Sequence, residues 1–551
     1  MRIDSHTHLQ YPERSLYQAL KKAAKENPKK TALDFSGRRI IFRDFLADID
    51  LAARALSAQG IGKDDAVTIC MPNMPQALIL FYAASRIGAV ANMIHPQSAQ
   101  NEIVFALNLL QSRFILVLDM FYETVVQAVR SMDRPVTILL TRAEDELPAA
   151  VAAAYALTAG RRYAHLPYSG EGLLWKDFMK SAKKLPEAAE VPFDADHTGV
   201  VLYSGGTTGK PKGCALSDYA FNACAVQAKT AIDEEFGPGK SMLSCMPCFH
   251  GFGLGMNLHA ALICGVTCIL MPSFNIKTYA KLLLQKKPNF IAGVPAIFDA
   301  LLNIPGLDNA DLSFLCGIFC GGDTLPVSLK RRVDAFLAEH RASVQVREGY
   351  GLTESVTASC LTPKDEYREG SIGLPFPDTD YAIVKPGTCE FLPAGQTGEI
   401  VMTGPTLMQG YAADPEETAL VLKPFPDGRT WLLTGDLGTM DEDGFVYFKG
   451  RIKRMIITNG YNVFPAELER VIGACEGIRE VCVIGAEDPR RGQKIKAFIV
   501  PEDGQEEAAL RSRTEEALKL NVARYAQPRE LIFLSKLPRT EVGKIDWRAL
   551  S

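Results

Sequence analysis

Apolar positions in the first third of the chain switch between two spacings. Leu16-Tyr-Gln-Ala-Leu-Lys-Lys-Ala-Ala24 and the run from Phe42 to Ala52 place them every three or four residues, the stripe of an amphipathic helix. Ala66–Cys70, Phe114–Leu118 and Val136–Leu140 are short, nearly continuous apolar runs bearing β-branched residues, which predicts buried strands. Between them, Ala77–Ile87 and Glu102–Leu110 return to the helical period. Strands separated by helices imply a mostly parallel sheet covered on both faces. Residues from about Arg142 to Ala195 read as a Lys/Glu/Pro-rich connection, and the pattern resumes with a strand at Thr198-Gly-Val-Val-Leu-Tyr203. Ser217 is placed to N-cap a helix around Phe221–Ile232.

Past Gly450 the order changes. Met455–Thr458, Glu480–Ile484, Lys496–Val500 and Glu530–Leu534 are strand-like, whereas Pro465–Gly473 and Glu506–Val522 are helical, with Pro465 in a first turn. At 551 residues the chain exceeds what one core holds, so two domains are expected. The division is a large α/β domain over residues 1–450, a hinge at 451–454, and a small α+β domain over 455–551.

Bulk chemistry narrows the function classes. A formal charge of −4, spread along the chain, gives no electrostatic case for nucleic acid or an anionic membrane. Thirteen cysteines without framework spacing, and no N-terminal signal pattern, imply a reducing, cytoplasmic setting. Gly255 to Ser273 carries no charged side chain, but Gly265 divides it into a helix and a β-like Val266-Thr-Cys-Ile-Leu270, so it reads as core and not as a membrane span.

The candidate chemistry centres on Tyr203-Ser-Gly-Gly-Thr-Thr-Gly-Lys-Pro-Lys-Gly213. Gly205, Gly206 and Gly209 let backbone N–H groups converge on an anion; Ser204, Thr207 and Thr208 add hydroxyls, Lys210 and Lys212 positive charge. It is not a P-loop: Ser204 replaces the first glycine, and Pro211 replaces the metal-binding hydroxyl and disfavours helix at Lys210. Downstream, Gly349-Tyr-Gly-Leu-Thr-Glu-Ser355 offers Tyr350 to stack on a purine, Gly351 to give space, Thr353 for a phosphate oxygen and Glu354 for a hard cation. Gly321 and Gly322 leave room for a flat ligand beside Asp323, an acceptor for an exocyclic amine. Asp436 and Arg451 supply a carboxylate and a guanidinium on either side of a hairpin turn at Asp441–Gly444. Ile3-Asp-Ser-His-Thr-His8 looks like the metal-binding opening of an amidohydrolase, but the chain has only eight histidines and no barrel ligand set to complete it.

Together these motifs resemble the adenylate-forming (AMP-binding) superfamily, from Leu16 to Leu550, within it the acyl-CoA synthetases. The resemblance implies an ATP- and Mg²⁺-dependent reaction of a carboxylic acid through an acyl-adenylate to an acyl-CoA, with AMP and diphosphate released. It also implies that His250, in Cys248-Phe-His-Gly-Phe-Gly-Leu254, gates the acyl channel, and that Asp436 and Arg451 clamp the ribose. Lys453 takes the family's hinge position. Lys544, in Leu537-Pro-Arg-Thr-Glu-Val-Gly-Lys-Ile545, takes that of its adenylation lysine. Gly460, Tyr461 and Asn462 would face the pantetheine of coenzyme A after domain rotation, and no carrier-protein motif follows, which favours free CoA. Gly88-Ala-Val-Ala-Asn-Met-Ile-His95 and the loop look like bacterial fatty acyl-CoA synthetases, so a medium- or long-chain fatty acid is expected, with an aryl acid as rival. A non-catalytic binding protein on the same fold is the alternative of another class.

Overall fold

The protein is described by a computed structural model covering residues 8–158, 172–204, 211–232, 235–304, 307, 309–458, 461–488, 492–522, 524, 526–540 and 544–550. Two sheets form the body of the large lobe. In the first, Gly172–Leu174, Thr137–Thr141, Phe114–Leu118, Ala66–Cys70, Val90–Met93 and Thr198–Ser204 run parallel. Lys212–Ser217 and Gly410–Tyr411 complete it in antiparallel fashion. In the second, Thr267–Leu270, Ser241–Ser244, Phe290–Gly293, Gly317–Cys320 and Val346–Gly351 form the parallel centre. A hairpin of Thr31–Phe35 and Arg38–Ile41 finishes one edge; Ala358–Leu361 and Leu374–Pro375 finish the other.

The helix Pro75–Arg86 is buried at every position, as expected of a helix packed on all sides. It can bury Arg86 because that guanidinium bonds Asp50, the Tyr17 hydroxyl and the Ala188 carbonyl oxygen. Ser217 caps the helix Asp218–Ile232 by accepting from the Ala220 amide at 3.1 Å. The uncharged stretch resolves into a π-helix, Phe252–Ala260, a short turn of α-helix and the strand Thr267–Leu270. No helix among the described residues is long and apolar enough to cross a membrane.

Two features depart from the sequence reading. The stretch from Arg142 to Ala195 is more than a connection: it contains the helices Ala149–Leu157 and Trp175–Ala182 and the edge strand Gly172–Leu174. Interleaved lysines mask the apolar face, but Trp175, Phe178 and Ala182 fall on one side of the second helix and are buried. The large lobe also carries a third, antiparallel sheet of Asp380–Val384, Gly398–Thr403, Leu422–Pro424, Thr430–Met440 and Val446–Arg451.

The last hundred residues have their own core. Ile478–Asp488 and Gly492–Pro501 pair antiparallel, Glu530–Phe533 adds in parallel, and Ile456–Thr458 with Tyr461–Val463 closes the sheet. Leu468, Ile472, Val483, Ile499 and Leu510 pack beneath it as a cluster separate from the large-lobe core. Leu468→Ala should therefore destabilise the small lobe by about 2–5 kcal/mol. Calorimetry should show an early small-lobe transition with the main transition unmoved; a single shifted transition would mean that the lobes unfold as one unit.

Candidate functional site

The second sheet carries one wall of the site. Alternation along Val346–Gly351 puts Arg347, Gly349 and Gly351 on one face and Glu348 and Tyr350 on the other. The Tyr350 hydroxyl donates to Asp436 Oδ2 at 2.7 Å, and its ring meets Tyr381 and Phe448, each 6.3 Å between centroids. Asp436 stands opposite Arg451 in the antiparallel pair of Thr430–Met440 with Val446–Arg451. Arg451 Nε lies 3.1 Å from Asp436 Oδ1, yet the contact is not aligned as a hydrogen bond and leaves Oδ1 an open acceptor. The carboxylate is 1% exposed. Burial raises its pKa above the ordinary carboxylate range, while Arg451 and the Tyr350 hydroxyl hold it down.

Glycines set how closely the walls approach. Gly322 has φ +80°, a left-handed turn after the strand Gly317–Cys320. Gly321 faces the Phe252 ring and the Gly349 carbonyl oxygen, and a Cβ on Gly351 would stand 1.5 Å from the Thr357 oxygen. Thr353–Ser355 forms a 3₁₀ turn that ends at Val356, φ +66° and ψ −62°. A β-branched residue rarely takes this conformation. The turn is held by the Thr357 amide on the Ser355 oxygen at 2.7 Å. The Val356 oxygen would lie 2.0 Å from a Cβ on Gly251, so the Thr353–Glu354 segment is wedged against the backbone beside His250.

Charge reaches the cleft from the small lobe. Lys544 follows the strand-like end of the chain, its oxygen accepting from the Thr540 amide at 2.8 Å. Burial lowers the pKa of its ammonium; Asp323 opposes that, Arg451 reinforces it, and Asp436 again opposes. His250 is pulled down to about 4, chiefly by burial and also by the Lys544 charge, so its imidazole is neutral at neutral pH. Asp323 bonds the Thr324 amide at 2.9 Å. Lys544, His250, Asp323, Asp436 and Arg451 thus share one electrostatic neighbourhood although they come from both lobes.

Glu354 and Lys212 meet a segment that sequence reading overlooked. The Tyr411 hydroxyl donates to Glu354 Oε1 at 2.9 Å, and Lys212 Nζ sits 4.9 Å from the centre of the Tyr411 ring. Lys212 also forms an ion pair with Glu417. A Gly-Tyr pair just before an Asp-Pro helix start was the available signal, but too generic to be read alone.

Glu348 was also missed. It is buried and accepts from the Leu325 amide at 3.1 Å, fastening the end of the Gly321–Asp323 turn to the tyrosine-bearing strand.

Ser204 ends the strand Thr198–Ser204. Lys453 lies in a 3₁₀ turn, Ile452–Arg454, between the lobes. Tyr461 and Asn462 lie on a strand of the small-lobe sheet. Gly205, Gly206, Thr207, Thr208, Gly209, Lys210, Gly460 and His6 lie outside the described residues. His8 bonds Asp378 at 2.7 Å.

These surroundings define a two-lobed cleft with an aromatic platform, a buried carboxylate with an open acceptor, and cations converging from both sides. Residues 20–412 match the family model described as AMP-binding enzyme, and residues 467–544 that described as AMP-binding enzyme C-terminal domain. The chain is 34% identical to a long-chain-fatty-acid–CoA ligase of Bacillus subtilis, with 98% of this chain and 95% of the relative covered. It is 31% identical to an indoleacetate–CoA ligase of Aromatoleum aromaticum over 94% of each. Among solved structures, the anthranilate CoA ligase AuaEII in complex with anthranoyl-AMP superposes with a TM-score of 0.84 at 22% identity, over 100% of this chain and 98% of the other. A Mycobacterium tuberculosis fatty acyl CoA synthetase gives 0.71 at 26% identity over 97% of each. The chain belongs to the AMP-binding enzyme family. It is an ATP-dependent acid–thiol ligase that works through an acyl-adenylate.

Burial pushes the Glu348 carboxyl up to about 7 from 4.5, with the Leu325 amide and Lys330 opposing. Below about 4.5 both folded and unfolded chains carry the acid form; the penalty grows as the unfolded chain ionises and levels off above about 7. Glu348→Gln should stabilise the protein at pH 8, by up to about 3 kcal/mol, and change little at pH 4. Thermal melts at the two pH values check this, and equal shifts at both would contradict it.

Proposed function

We propose that this ligase activates a medium- or long-chain fatty acid and transfers it to coenzyme A. The support is the relationship to the B. subtilis ligase over nearly the whole chain, together with an apolar wall of Phe252, Cys320, Gly321 and Gly349. Arg347, the cation on the Gly349 face, bonds the carbonyl oxygens of Ala231, Ile232 and Thr362, which argues against a dicarboxylic acid. The indoleacetate and feruloyl relatives favour a second reading, an aryl acid.

In this reading Tyr350 stacks on adenine beside Gly321, Gly322 and Asp323, and the open Oδ1 of Asp436 accepts from a ribose hydroxyl braced by Arg451. Thr353 and the loop Ser204–Lys212 hold the polyphosphate. The carboxylate of Glu354 suits Mg²⁺, a hard cation bound by one or two protein carboxylates together with substrate phosphates. When bound, that ion would offset the charge of the phosphates. The acid's carboxylate and the α-phosphate are both anionic, so the barrier is largely electrostatic and placed cations lower it. Lys544 supplies one from the small lobe, and neutral His250 bounds the acid's carboxylate without adding charge. The adenylate is prone to hydrolysis, and the closed lobes exclude water. The small lobe then turns about Lys453, which withdraws Lys544 and brings Gly460, Tyr461 and Asn462 to the pantetheine thiol.

Lys544→Ala should lower acid-dependent ATP–pyrophosphate exchange by about 10²–10³ while leaving thioester formation from supplied acyl-adenylate largely intact. Equal loss of both half-reactions would contradict the turning lobe. Across acids from acetate to palmitate, kcat/KM should rise with chain length; a maximum at benzoates or cinnamates selects the aryl acid, and ADP as product overturns the ligase.

A further inference from the structure

Residues 408–417 lie about two hundred positions from the strand that leaves the phosphate loop, yet they are stitched to it. Gly410 and Tyr411 pair with Ala215 and Cys214, and flanking bonds join the Gln409 amide to Ala215 and the Ala412 amide to Gly213. The Met408 amide donates to the Glu354 oxygen at 2.8 Å. The turn that follows is tight: Gly410 has φ +152° with Thr418 against it, and Ala413 has φ +54°. Asp414 caps the helix Pro415–Val421 by accepting from the Glu417 amide, and the Thr418 hydroxyl accepts from the Tyr411 amide at 2.8 Å. These constraints aim Tyr411 and Glu417 at two charged side chains on different walls of the cleft.

Tyr411 is 8% exposed, and its hydroxyl is committed to one Glu354 oxygen while its ring lies beside the Lys212 ammonium. Lys212 is 14% exposed and Glu417 32%, so the ion pair is partly desolvated and worth more than a surface pair. We propose that Tyr411 is a positioning residue that fixes Glu354, and that Glu417 is a resident anion that Lys212 leaves when nucleotide phosphates enter. The proposal rests on the ligase reading above. Without the tyrosine, Glu354 is free to rotate towards Lys212 and neutralise it. Without Glu417, Lys212 is uncompensated and attracts phosphate more strongly, and release of diphosphate slows for the same reason.

The test is titration of the full-length protein with ATP, with and without Mg²⁺, by calorimetry, alongside turnover assays and thermal melts. Tyr411→Phe, which keeps the ring, should raise the half-saturating Mg²⁺ concentration about tenfold and leave the KM for the acid unchanged. Glu417→Gln should tighten ATP binding severalfold and slow diphosphate release, and the gain should vanish when Lys212→Met is added. An unchanged Mg²⁺ requirement in Tyr411→Phe overturns the positioning role. Weaker ATP binding in a folded Glu417→Gln variant, or a gain that survives Lys212→Met, overturns the exchange. If the unaltered protein fails to bind ATP at all, the ligase reading itself falls and overturns both roles with it.

Discussion

A carboxylate taken almost wholly out of water is the constraint on which the cleft depends. Asp436 is tolerable there only because the Tyr350 hydroxyl and the Arg451 guanidinium reach it, and neither partner alone meets both of its oxygens. The first comes from the second sheet and the other from the strand that leads out of the large lobe. The antiparallel sheet must therefore dock on the tyrosine-bearing strand before either half of the site exists. The remaining oxygen, Oδ1, is buried and has no hydrogen-bond partner, an acceptor that the packing by itself does not use.

The small lobe answers the same electrostatic need from the opposite side. Desolvating an ammonium is unfavourable, and Lys544 offsets this by standing near Asp323 and Asp436. Its charge in turn helps to keep His250 neutral. An ion pair between Lys449 and Glu467, at 2.9 Å, and another between Arg332 and Glu502, at 3.8 Å, cross between the lobes in this pose. Both are partly exposed, where such pairs contribute little, so they steady the pose without locking it.

One strained backbone position lies where the two walls touch. Val356 keeps its left-handed γ-turn because Gly251 and Gly351 admit its neighbours at distances no side chain would allow. The histidine loop and the Thr353–Glu354 turn are therefore packed backbone against backbone. The π-helix Phe252–Ala260, a rare form frequent at functional sites, begins two residues after His250.

Local chemistry made much of this legible in the amino-acid sequence. The strands Ala66–Cys70 and Phe114–Leu118, the helix after Ser217 and the elements of the small lobe followed from period and capping, since those signals are carried by residues close together. Tyr350 stood out because the motif around it has few other uses, whereas Asp436 and Lys544 drew attention only through the order of the motifs and the sequence around them. The helix at Trp175–Ala182 was hidden because exposed lysines dilute its apolar face. Tyr411, Glu417 and Glu348 were invisible for a deeper reason. Their roles consist of partners two hundred residues away or on a neighbouring strand, and no spacing along the chain encodes a register between sheets. The sequence by itself determined most of the elements and, through its motifs, the family to which the chain belongs. Only the folded arrangement decided which carboxylate is held, by which hydroxyl, and against which lysine, because those pairings arise from sheet docking and burial.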